Sequence, residues 1–287
     1  MVTASPQAGD QACVFPGQGS QFLGMGRELF PRYPDIVQSA DEILGYSIEE
    51  LCLRDPLRVL ARTDYTQPAM YVVNALSYWS YRDAGAPRPR MVAGHSLGEY
   101  NALLVADVFP FEQGLRLVKF RGELMNRAAN GSMAAVIGLA GEHVRDRLLR
   151  GGLENVDIAN INSPVQVVIS GPQADVRAAE SLFADAAAFV PLNVSGAFHS
   201  RLMAPLVAEF RSRVAESQLQ APRIDVISNV TARPYSAEGV SEYLGRQLCE
   251  PVHWCDTVKY MMSQGIERIE EVGPGSTLTK LIKAIRA

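Results

Sequence analysis

The 287-residue chain has four cysteines, Cys13, Cys52, Cys249 and Cys255, and no two of them stand in C-x-x-C spacing. That scarcity argues against a disulfide framework and against a zinc site built on paired thiols, and a reducing cytoplasm is the simplest compartment for it. Long apolar runs are also missing. No stretch approaches the roughly 20 residues that cross a bilayer, so no membrane partner is expected. Excess charge is absent too: 27 Lys and Arg stand against 31 Asp and Glu, a net charge of −4. Such a balance gives no sign of a nucleic-acid binder and makes any basic docking patch local. The opening residues 1–10 have neither a basic start nor an apolar segment of signal-peptide type. They read as an unstructured tail or tag remnant.

What is present is apolar content, 47% of residues, enough at this length for one large domain or two smaller ones. Short apolar runs alternate with helical periodicity, the pattern of an α/β protein. The segment from about 133 to 195 stands apart. There Ala134–Leu139 reads as strand, Glu142–Leu149 as helix, Val156–Asn160 and Gln166–Ser170 as strands, Ala174–Ala187 as helix and Phe189–Val194 as strand. That order, βαββαβ, is a ferredoxin-like plait. The expected architecture is a hydrolase-like large subdomain, residues 1–130 and 197–287, with a small ferredoxin-like subdomain, residues 131–196, inserted in it and the site in the cleft between.

The chemistry starts at Val92-Ala93-Gly94-His95-Ser96-Leu97-Gly98-Glu99-Tyr100, a short apolar run, a sharp turn and a helix start. Its core is G-x-S-x-G, whose glycines permit the tight strand-to-helix turn that exposes a serine nucleophile. Upstream, Ala12-Cys13-Val14-Phe15 reads as a strand ending at Pro16-Gly17-Gln18-Gly19-Ser20-Gln21. Glycines on both sides of Gln18 let its backbone N–H approach another group, as an oxyanion donor must. A phosphate-binding loop is the competing reading, and the missing Gly-Lys-Ser/Thr ending counts against it.

Phe15 to Gln21, Thr66-Gln67-Pro68-Ala69, Gly94 to Tyr100 and Glu271-Val272-Gly273-Pro274-Gly275 follow one another along nearly the whole chain. Together they resemble the malonyl-CoA:acyl carrier protein transacylase family, and within it the free-standing, trans-acting acyltransferases of polyketide synthases. The resemblance implies a seryl ester on Ser96 and an oxyanion hole from the backbone N–H groups of Gln18 and Leu97.

A serine at neutral pH needs a base. His143 lies in a polar helix start, His253 is flanked by apolar residues, and His95 adjoins Ser96, where neighbouring side chains diverge. His95 therefore reads as a substrate-contacting or supporting group. The resemblance makes His199, in Ala197-Phe198-His199-Ser200, the general base and acid, and implies a Ser-His dyad oriented by a backbone carbonyl, by position that of Gln247. An unperturbed imidazole near pKa 6.5 would make acylation rise with pH through that value.

Phe111 to Ala128 reads as an amphipathic helix with Leu117, Arg121 and Met125 on one stripe and no acid three or four residues from Arg121. An arginine so placed either reaches solvent, finds a distant acid, or meets an anion from outside. The motif Arg121-Gly122-Glu123-Leu124-Met125 matches the family's, where the arginine clamps the free carboxylate of malonyl by its guanidinium fork. Phe198 matches the residue that limits the acyl group to malonyl. Asn160, Asn162, Ser163 and Gln166 match a further block as cleft-lining candidates, as does Gln67, although Pro68 is equally a helix-start signal. Arg201, Lys280, Lys283 and Arg286 are candidates for contacting an acidic carrier protein.

The function implied is transfer of malonyl from malonyl-CoA to the phosphopantetheine thiol of an acyl carrier protein, for polyketide or fatty acid synthesis. The chemistry calls for no metal or cofactor, coenzyme A being part of the substrate, and nothing demands more than a monomer. Two alternatives stay open: an acyl hydrolase of the same fold that clears carrier proteins, and a weakly catalytic carrier-docking module.

Overall fold

The computed structural model describes residues 10–128, 131–236 and 239–287. The opening tail thus lies almost wholly outside the described residues. Among the described residues there are eight strands: β1 (Gln11–Phe15), β2 (Met91–Gly94), β3 (Ser132–Ile137), β4 (Asp157–Ser163), β5 (Gln166–Gly171), β6 (Ala188–Pro191), β7 (Asp225–Ile227) and β8 (Arg268–Glu271). They form two sheets. One is parallel, in the order β7-β2-β1-β8; the other is antiparallel, in the order β4-β5-β3-β6.

The parallel sheet is covered on both faces at its centre, which is why β1 and β2 are buried along their whole length, whereas the edge strand β8 is polar and alternates. Cys13 and Phe15 of β1, with Val92 of β2 and Val226 of β7, point into one core. Ala12, Val14, Met91, Ala93 and Ile227 point the other way, into a second core with Trp254, Val258 and Ile282. Helices fill both layers, the longest being Thr63–Asp83 and Phe111–Arg127 on the first side. Sheet and helices together give the hydrolase-like α/β layering expected from the sequence.

All four antiparallel strands lie between Ser132 and Pro191. Joined by the helices Gly141–Arg150 and Gln173–Ala179, they make the ferredoxin-like βαββαβ order. One face, with Ala134, Val136, Ile158, Val167 and Ile169, packs on Val144, Leu148, Val176 and Phe183 of its own helical layer. The opposite face, with Met133, Ala135, Ala159 and Val168, packs into the first core of the parallel sheet. Backbone bonds tie β4 to the segment just before the Trp254–Ser263 helix, Ile161 N–H to Val252 O at 2.9 Å and Val252 N–H to Ala159 O at 2.9 Å.

Local extents differ from the sequence reading in several places, strand β3 lying two residues earlier than expected and β4 running on to Ser163. The expected helix over 174–187 is a short α-helix, Gln173–Ala179, followed by a 3-10 turn, Glu180–Phe183. Strand β6 spans Ala188–Pro191, shorter than expected, although Leu192 N–H still donates to Met133 O at 2.9 Å. Pro68 does not start a helix. The helix begins at Thr63 and carries Pro68 inside it, where the ring forfeits the backbone bond to the carbonyl four residues back.

Candidate active site

Ser96 stands at the turn between β2 and the helix Gly98–Val105 with φ +51°, a left-handed conformation rare for serine. The turn closes only because of its glycines. A Cβ on Gly94 would lie 1.8 Å from the Gly98 carbonyl carbon, and one on Gly98 would lie 2.0 Å from Phe15 O. Gly17 brings the upstream loop against the same turn, since a Cβ there would lie 2.4 Å from His95 O and 3.6 Å from Leu97 N. The backbones of the Gly17-Gln18 loop and of Leu97 are therefore neighbours at the serine.

Asn229, just after β7, locks the strained turn. Its Oδ1 accepts from Ser96 N–H at 2.7 Å and its Nδ2 donates to Gly94 O at 2.6 Å. Sequence reading did not find it. Asn229 lies far along the chain from Ser96, and only the parallel pairing of β7 with β2 brings the two together.

His199 comes from the segment that returns from the small sheet, itself at φ +56° with its N–H bonded to Leu248 O at 3.1 Å. Its Nε2 is 2.7 Å from Ser96 Oγ and its Nδ1 is 2.7 Å from Gln247 O. The carbonyl can only accept, so Nδ1 carries the proton and the Nε2 lone pair faces the serine hydroxyl. Burial first, and the nearby Arg121 cation second, pull the His199 pKa down to about 3. The ordinary imidazole value expected from the sequence is thus overturned. His199 is a neutral acceptor throughout the neutral and mildly acidic range.

Arg121 is 1% exposed, on the buried stripe of Phe111–Arg127. Its guanidinium donates to Gln67 Oε1 at 2.7 Å, to Gln247 Oε1 at 2.9 Å and to Ser96 Oγ at 3.2 Å, and it lies 5.6 Å from the Tyr100 ring centre. All three acceptors are neutral. Among the described residues none forms an ion pair with it, so of the three sequence readings, solvent exposure and a tertiary salt bridge are both ruled out.

A cavity of about 80 Å³ opens beside these groups, lined by Ser96, His199, Arg121, Met125, Phe198 and Met133 among others, with Gln18, Gln67, His95 and Asn160 also on its wall. His95 turns away from Ser96. Its Nε2 meets Asn162 Oδ1 at 2.9 Å and its ring lies 5.6 Å from that of Trp254. His253 caps the Trp254–Ser263 helix, 3.5 Å from Asp256. Arg201 is engaged by Asp157 through several short contacts, and Arg286 donates to Glu267 O at 2.9 Å.

Beneath the turn lies Glu99, fully buried. Its carboxylate accepts from Asn229 N–H at 2.8 Å, from Tyr235 O–H at 2.8 Å, and from Gln247 Nε2. Burial raises its pKa to about 7 against these donors. Glu99 sat inside the motif in plain view, and its inward aim is set by the helix that begins at Gly98.

The sequence matches the acyl transferase domain family over residues 12–286. It is 50% identical over 276 residues to the polyketide biosynthesis malonyl CoA-acyl carrier protein transacylase BaeC of Bacillus velezensis, covering 95% of this chain and 96% of that protein. It is also 50% identical to the polyketide biosynthesis protein ThaF of Burkholderia thailandensis over 96% of this chain, which spans only 24% of ThaF's length. The fold superposes on the malonyl CoA-acyl carrier protein transacylase of Burkholderia pseudomallei with a TM-score of 0.94 at 46% identity, covering 96% of this chain and 97% of that one.

Proposed function

The chain belongs to the acyl transferase family, and on that premise we propose that it carries malonyl from malonyl-CoA, as an ester on Ser96, to the phosphopantetheine thiol of an acyl carrier protein. The observation that carries this reading is Arg121: a buried cation with only neutral acceptors, 3.2 Å from the serine oxygen. A desolvated guanidinium with no carboxylate in direct contact is costly; Glu99 reaches it only across space, and a dicarboxylate half-thioester supplies the missing contact anion. The fork geometry suits a bidentate carboxylate.

With the malonyl carboxylate on Arg121, the thioester carbonyl lies at Ser96. His199 Nε2 takes the hydroxyl proton as Oγ attacks, and Gln247 O holds the imidazolium through Nδ1–H. The N–H groups of Gln18 and Leu97, brought together by the Gly17 approach, hold the oxyanion. Collapse expels the coenzyme A thiolate, which His199 protonates. The carrier thiol then enters, gives its proton to the same nitrogen and attacks the ester through a second oxyanion, whose collapse breaks the ester bond to Ser96 Oγ as His199 returns the proton to it. Arg121 also disfavours the charged form of His199. A malonyl carboxylate cancels that charge, so the substrate with the right end group strengthens the base that must act on it.

The same reading makes residues 1–130 and 197–287 the catalytic part and 131–196 the part that closes over the acyl group. Met125 and Phe198 form the apolar wall, and Gln67, His95 and Asn160 the polar one, with Asn162 behind it holding His95. One chain supplies every group, which suits a monomer in the cytoplasm acting without metal or redox cofactor in trans-acting polyketide or fatty acid synthesis. Purified protein given malonyl-CoA and a phosphopantetheinylated carrier should form malonyl-carrier with little free malonate. Predominant malonate would make it a hydrolase. Neither product would make it a docking module.

A further inference from the structure

Gln247 is the junction of the site, and each of its polar groups has a different task. Its backbone oxygen accepts from His199 Nδ1 at 2.7 Å, its Oε1 accepts from Arg121 at 2.9 Å, and its Nε2 donates to Ser96 O at 2.9 Å and to Glu99. An amide side chain has two ends that differ only in donor or acceptor character. Whichever group dictates which end faces which way therefore dictates whether Arg121 meets an acceptor or a donor.

We propose that Glu99 is a positioning residue for malonyl transfer: its buried carboxylate fixes the Gln247 amide so that Oε1 faces Arg121, and thereby aims the guanidinium at the acyl pocket. This rests on the reading of the site as a malonyl transferase. The three groups that touch Glu99, namely Asn229 N–H, Tyr235 O–H and Gln247 Nε2, all donate, and an ionised carboxylate only accepts. Asn229 N–H cannot be reversed, so one carboxylate oxygen is committed to it, and the other is left for Gln247. The same Asn229 clamps the Ser96 turn through its side chain. Glu99 thus joins the strained nucleophile turn to the carboxylate anchor, without touching substrate.

Glu99→Gln keeps size and shape but has one oxygen instead of two. With that oxygen held by Asn229 N–H, its NH2 faces Gln247 Nε2, donor against donor, so the Gln247 amide either turns over, giving up its bond to Ser96 O, or shifts away. A turned amide presents NH2 to Arg121, and a shifted one draws Oε1 away from it; either way the guanidinium loses this acceptor. Acylation by malonyl-CoA should then fall more than acylation by acetyl-CoA, whose acyl group makes no use of Arg121.

The test is the rate of acyl-enzyme formation from each thioester at pH 8, read by intact mass after rapid quench, for wild type, Glu99→Gln, Gln247→Leu and the double variant, with folding checked by circular dichroism. The malonyl-to-acetyl ratio should drop about tenfold or more in Glu99→Gln, the range of a lost hydrogen bond to a charged group. It should drop similarly in Gln247→Leu, and little further in the double variant. A folded Glu99→Gln protein that keeps the wild-type ratio, or loses both rates equally, overturns the proposal. Should Glu99→Gln fail to fold, an unchanged ratio in folded Gln247→Leu overturns it just as well. Absence of a malonyl adduct on wild type would instead overturn the functional reading beneath it.

Discussion

Replacing Arg121 by alanine should reverse the acyl preference of the enzyme rather than merely weaken it. The guanidinium is 1% exposed and its three hydrogen-bond partners are neutral oxygens of Gln67, Gln247 and Ser96. When it is removed, a malonyl carboxylate must enter a desolvated pocket without a cation. Truncating one partner of a buried, hydrogen-bonded charge pair costs about 2–5 kcal/mol, and about 1.4 kcal/mol is a factor of ten. Malonyl-CoA should therefore lose roughly 30-fold to 5,000-fold in kcat/KM on the same basis. Acetyl-CoA moves the opposite way, since its methyl group no longer confronts a buried charge. The assay is competition between the two thioesters for Ser96, read by the mass of the acyl-enzyme. A variant that still favours malonyl by the wild-type ratio would show that Arg121 is not the carboxylate anchor. Equal losses for both thioesters would show that it supports only the serine.

Ser96→Ala should form no malonyl adduct, and His199→Ala should form it at a rate reduced by about 100-fold or more, the scale of general base catalysis; an adduct on Ser96→Ala would place the nucleophile elsewhere. Phe198, 5% exposed on the cavity wall, should hold malonyl-CoA over methylmalonyl-CoA by roughly ten- to two-hundredfold. Phe198→Ser should narrow that ratio, and a folded variant with an unmoved ratio would remove Phe198 from the selectivity wall. NMR of the imidazole carbons should show His199 not titrating between pH 8 and 5, because its pKa is drawn down to about 3; a midpoint near 6.5 would contradict the burial argument, and Arg121→Ala should move the midpoint upward. For stability, a histidine depressed in the fold binds fewer protons than in the unfolded chain. Its contribution is therefore lost as pH falls from about 6.5 toward 3, while Glu99, raised to about 7, opposes that trend between about pH 4.5 and 7. Denaturation of Glu99→Gln should consequently show stability rising more steeply with pH across that window than wild type.

The features legible in the sequence were those encoded within a few residues. G-x-S-x-G specifies its own turn, because the close contact between Gly94 and Gly98 is a property of one short segment. The period of Phe111–Arg127 places Arg121 on its buried stripe, and the βαββαβ order follows from alternating short patterns. The placement of His199 between Ser96 and the Gln247 carbonyl was legible by family likeness, since nothing local distinguishes that histidine from the others. What only the tertiary structure decided depends on strands and loops distant in sequence. Asn229 on the Ser96 turn needs β7 beside β2. The Gln247 side chain between Glu99 and Arg121 needs the Val240–Arg246 helix to end against the nucleophile turn. The depressed His199 is a matter of burial and of a cation from another helix, and neither is written in its neighbours. Local sequence sets backbone geometry over a few residues, whereas desolvation and the donor or acceptor facing a buried side chain belong to the assembled core.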